Sequence, residues 1–131
     1  MSASLFLSKI IPTEQQKLTF RKFIRIMPLS ELTSLRHLLH QSPETAGEEN
    51  TTAENISSFF ANINPDRNIQ NRGVYGLAFV FKGKNPGKRS LFRAELDALP
   101  IQETGNPRYR SQIEGKAHFC GHDGHMTIIC G

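Results

Sequence analysis

Leu32, Leu35, Leu38 and Leu39 recur at the three- and four-residue steps of one helical face. This spacing predicts a helix from Ser30, a residue suited to an N-cap, to about Gln41, ended by Ser42-Pro43. After the polar loop ETAGEEN, Ile56, Phe59, Phe60 and Ile63 repeat the pattern, with Thr51 and Glu54 at capping-box spacing. Asn64-Pro65 stops this second helix. The pattern then changes. VYGLAFVF (74–81) is almost continuously apolar, as in a strand covered on both faces. GKNPGK (83–88) reads as a turn, and SLFRAEL (90–96) as a second strand, antiparallel to the first and ending in Asp97. Residues 101–117 have no clear period and read as an irregular loop. Met126 to Ile129 begin a buried helix.

Composition narrows the class. The chain has 131 residues, enough for one modest core, and 37% hydrophobic residues argue against wholesale disorder. No run approaches the roughly 20 apolar residues of a membrane span. The opening MSASLFLSKIIP has no clear cleavage site for secretion. The net charge of +4 lies wholly in residues 1–28, and residues 29–131 are neutral overall. The chain thus divides into a basic N-terminal extension, 1–28, and a domain portion, 29–131. The extension contains a short amphipathic stretch, with Phe20, Phe23, Ile24 and Met27 on one face and Arg21, Lys22 and Arg25 elsewhere. It could lie on a membrane surface, act as a transit peptide, or merely pack on the domain. Past Pro28 no basic, aromatic-interleaved face supports nucleic-acid binding.

Chemistry concentrates between His118 and His125, where three histidines, Cys120 and Asp123 occupy eight positions. Imidazole and thiolate are the usual ligands of zinc and similar metals. Cys120 and His122, two residues apart, cannot share a helix face, but they can converge from a turning backbone, which Gly121 permits. Asp123 can cap the next helix or hold an imidazole N–H. No standard zinc-finger spacing follows, so two ligands need others from elsewhere. Asp97 ends a strand and shares a face with Glu95 and Arg93, so it is either a site carboxylate or part of an exposed charge row. Cys120 and Cys130 could pair, yet the His/Asp surroundings favour reduced thiols and a cytoplasmic setting.

RAELDALPIQE (93–103) resembles the RADMDALP-E segment of the binuclear-metal amidohydrolases that include aminoacylases, hippurate hydrolases and auxin-conjugate hydrolases. GKAHFCGHDGHMTIICG (115–131) is similar to the same family's GKMHACGHDGHT-LG, and residues 35–60 look like its first helix pair. The resemblance implies an α/β fold: the N-terminal part of a zinc-exopeptidase-like catalytic domain, with two helices, sheet strands, then a helix after the metal motif. It implies metal-dependent hydrolysis of N-acyl or N-aroyl amino acids, with a glutamate as general base. Cys120 and His122 match two metal ligands, and Asp97 and Asp123 match supporting acidic positions. Two divalent ions, zinc or manganese, and a homodimer are expected of the complete enzyme. The base, further histidine ligands and a lid domain are expected beyond Gly131, so this chain reads as an incomplete enzyme, weakly active or inactive alone. Glu95, Phe119 and Ser42 depart from the family's usual Asp, Ala and His. The alternative is a non-catalytic truncated metal-binding or interaction module.

Overall fold

The computed structural model describes residues 27–131. Apart from Met27 and Pro28, the basic extension and its amphipathic stretch lie outside the described residues. The elements run α1 (Leu29–Gln41), α2 (Asn50–Ala61), β1 (Arg67–Arg72), β2 (Gly76–Val80) and α3 (His122–Cys130). Two helices, a small sheet and a helix after the CGHD segment match the expected order.

Helix α1 opens on Pro28 rather than on a Ser30 cap. No side chain caps it, and the Pro28 carbonyl accepts from the Glu31 and Leu32 amides. Proline suits that position because its ring presets φ near the helical value and its missing N–H would find no intrahelical partner there. The capping box expected at Thr51 and Glu54 does not form. Instead the Glu44 carboxylate accepts from the amides of Thr51 (3.0 Å) and Thr52 (2.7 Å). A turn through Gly47, at φ +88°, folds Glu44 back onto the open helix end. A longer-range acceptor thereby satisfies two orphan donors of the first turn of α2, the amides of Thr51 and Thr52.

The core sits between the helices and one face of the sheet. Leu35 and Leu39 of α1, Ile56 and Phe60 of α2, and Met126 and Cys130 of α3 form one buried cluster. Leu77 and Phe79 of β2 pack against it, and the Phe79 ring stacks on Phe60 with centroids 4.1 Å apart. Leu38, the fourth leucine of the α1 pattern, points outward and is exposed.

The strand reading needs correction. Residues 74–81 do contain a strand, but its partner is β1, in antiparallel register with Arg67 opposite Val80 and Ile69 opposite Ala78. Residues 90–96 pair with nothing in the sheet, and Leu91 and Phe92 are 91% and 78% exposed. The tight link 73–75, with Gly73 at φ +80°, closes β1 onto one edge of β2, and the other edge of β2 has no partner among the described residues. β1 escaped the sequence reading because RNIQNR is polar. Nor is the 74–81 run covered on both faces among the described residues: β2 is half-buried, and Val74 and Phe81 are exposed. Residues 101–117 form an irregular loop, tied at its end by reciprocal hydrogen bonds between Leu99 and Ala117.

Candidate metal centre

The CGHD segment is a turn running into α3. Gly121 has φ +76°, a left-handed conformation that other residues seldom adopt, and His122 is the first residue of the helix. Cys120 is exposed and free, and Cys130 lies buried on the opposite end of α3, so the two form no disulfide. Burial pushes the Cys130 thiol up to about 12.

His122 is aimed from the strand-like segment before it. Its Nδ1 donates to the Asp97 backbone carbonyl at 2.8 Å and lies 3.2 Å from Asp97 Oδ1. With Nδ1 so engaged, Nε2 is the nitrogen left to bind a metal, the arrangement by which outer partners orient metal-bound histidines. Asp97 therefore stands beside His122. Glu95 does not join it; its carboxylate pairs with exposed Arg93 at 2.9 Å.

Asp123 follows one of its two sequence expectations: it holds an imidazole N–H, that of His40, and does not cap the helix. It is fully buried in the first turn of α3, where it does not contact His122. Its Oδ2 accepts from His40 Nδ1 at 2.9 Å and from Arg36 Nε at 3.2 Å. The other His40 nitrogen faces Glu103 at 3.4 Å, and Glu103 accepts the Ser111 amide at 2.7 Å. Tyr109 stacks on His37 and presents its ring to His40 edge-on. His40, Arg36 and Glu103 are site-adjacent residues that sequence reasoning missed. The available signal was the four-residue spacing of Arg36 and His40 beside the buried stripe of α1.

His118 completes the surroundings. It is 4% exposed, and neither ring nitrogen has a partner among the described residues. Burial lowers its basicity, reinforced by His40 and His122 and opposed by Asp123 and Asp97. Asp123 Oδ1 is likewise unpartnered.

Among the described residues, no three His, Cys, Asp or Glu side chains form a group able to hold a metal. The chemistry of the donors nonetheless suits one: an accessible thiol and an imidazole whose second nitrogen is already fixed.

No family model matches the chain. Curated relatives do. It is 38% identical over 105 residues to an N-acetyldiaminopimelate deacetylase of Listeria innocua, covering 79% of this chain and 28% of that protein. It is 37% identical over 99 residues to a hippurate hydrolase of Campylobacter jejuni, covering 76% of this chain and 26% of the other. The crystal structure of the Bacillus subtilis YXEP protein, described as a dinuclear metal binding peptidase from M20 family, matches with a TM-score of 0.73 and 31% identity. That match covers 77% of this chain and 28% of YXEP. The matches are to segments of enzymes named a deacetylase, a hydrolase and a peptidase. The chain is similar to part of the M20-family peptidase and of the amidohydrolase relatives, and it spans about a quarter of their length.

Proposed function

We propose that this chain supplies Cys120 and His122 to the metal centre of an amidohydrolase acting on N-acyl amino acids. The observation that carries this reading is the fixed His122 ring: Asp97 engages Nδ1 and leaves Nε2 for a ligand, two residues from the exposed Cys120 thiol. A divalent ion held there, zinc or manganese, would supply Lewis acidity toward an amide carbonyl and acidify a water. The names of the relatives, a deacetylase and a hippurate hydrolase, support small acylated amino acids as the substrate class.

The chain's own residues orient rather than transfer protons. Asp97 holds His122, and Asp123 is committed to His40 and Arg36. Both carboxylates are thus engaged in holding imidazoles, which suits positioning better than proton transfer. Reduced thiols suit the cytoplasm. No described helix is long and apolar enough to cross a membrane. Dimerisation belongs to the complete enzyme.

Cobalt titration tests the reading, because a thiolate bound to Co²⁺ gives an intense near-ultraviolet charge-transfer band. The chain is expected to develop that band with at most one ion bound, to lose it in Cys120→Ala, and to hydrolyse no N-acetyl or N-benzoyl amino acid alone. Unchanged metal content in Cys120→Ala and in His122→Ala would refute the ligand assignment.

A further inference from the structure

Two neighbouring residues at the start of α3 are gripped from opposite sides. His122 is held by Asp97, and Asp123 by α1 through His40 and Arg36. Successive side chains on a helix point about 100° apart, so two anchors on adjacent residues fix the rotation of the helix about its axis as well as its place. One anchor alone would leave that rotation to apolar packing, which is less directional. Asp123 is 0% exposed and His40 7% exposed, so this second anchor is sheltered from competing water. His40 also reaches Glu103, whose carboxylate is secured by the Ser111 amide.

We infer that His40 is a positioning residue for the metal centre, setting the rotation of α3 through Asp123 and thereby the aim of the His122 ring. This rests on the proposed metal reading only for what His122 is aimed at. The hydrogen-bond relay itself is independent of it. The two arms of His40 are unequal. The Nδ1 contact with Asp123 is 2.9 Å, and the Nε2 contact with Glu103 is 3.4 Å, near the limit of a hydrogen bond. The short arm carries the positioning, and the long arm seats the ring.

That inequality can be read with two amides. Asparagine places its side-chain nitrogen near the position of Nδ1, whereas glutamine reaches the position of Nε2. The readout is the tautomer of His122, seen in long-range ¹H–¹⁵N correlation spectra of the metal-free chain in mildly alkaline buffer. The wild-type chain and His40→Asn are expected to show His122 protonated at Nδ1, as donation to the Asp97 carbonyl requires. His40→Gln is expected to show a mixture of tautomers with unchanged helical circular dichroism. A His40→Gln spectrum indistinguishable from wild type overturns the inference, as does His40→Asn impaired equally, or a wild-type ring without that tautomer.

If His40→Gln does not fold, Asp123→Asn carries the test, since it keeps shape and burial but weakens the acceptor. The same mixture is expected, and an unchanged His122 spectrum overturns the inference. Co²⁺ is then added to the folded proteins. His40→Gln should bind it about tenfold or more weakly than His40→Asn, the cost typical of a lost outer partner. A wild-type chain that develops no thiolate band counts against the metal reading, while the order of tautomers still decides the role of His40.

Discussion

The backbone carbonyl of Asp97, and not its carboxylate, makes the shorter contact with His122 Nδ1, 2.8 Å against 3.2 Å. Removing the side chain leaves the better acceptor in place. Asp97→Ala is therefore expected to weaken Co²⁺ binding by about tenfold, the low end for an outer-partner loss, with unchanged helix content. Competition with a chromophoric chelator measures it. A loss far beyond that would make Asp97 a direct ligand.

Glu44 is the cap of α2 from outside the helix, and Glu44→Ala should cost about 1 kcal/mol in denaturant unfolding, as losing an N-cap does. Partial burial opposes ionisation of Glu44, but the amides and hydroxyls of Thr52 and Thr51 outweigh it and hold the carboxyl below its ordinary value of 4.5. The folded form thus favours the carboxylate. Its contribution is present above that ordinary value and is lost as pH falls through the lower folded one. Glu44→Gln should lose this acid-side step, and parallel pH–stability curves for the two proteins would contradict it. Because Glu44 is only partly buried, solvent screening keeps the step small.

The two thiols should behave as different species. Cys120 is exposed, whereas Cys130 is packed in the core with its thiol pushed up to about 12 by burial. Iodoacetamide under native conditions is expected to modify Cys120 alone, and Cys130 only in denaturant. Mass spectrometry of the digested protein distinguishes the two. Early labelling at Cys130 would mean that α3 is not docked on α1.

Leu39 and Leu91 make a matched contrast in one residue type, 1% and 91% exposed. Leu39→Ala should destabilise by about 2–5 kcal/mol, because a fully packed side chain leaves a cavity. Leu91→Ala should change stability by less than about 0.5 kcal/mol, since nothing packs on it among the described residues. Thermal unfolding followed by circular dichroism measures both. A large effect at Leu91 would place it in the core beside Ala94 and Leu96, which already pack there.

Much of this was legible locally. The leucines of α1 and the Ile56, Phe59 and Phe60 stripe of α2 announce their helices because a helix brings residues three and four apart together, whatever the rest of the chain does. The density of His, Cys and Asp between His118 and His125 marked the chemistry for a similar reason, as ligand type is a property of each side chain. Tertiary structure alone decided the rest. That the 74–81 run pairs with 67–72 is written in no local pattern, because RNIQNR is polar apart from Ile69. Asp123 meets His40 across 83 intervening steps of chain and Arg36 across 87, and no local spacing encodes such a meeting. Sequence determined which groups the protein owns; the packing of α3 on α1 decided which of them meet, Asp123 with His40 and Arg36 above all.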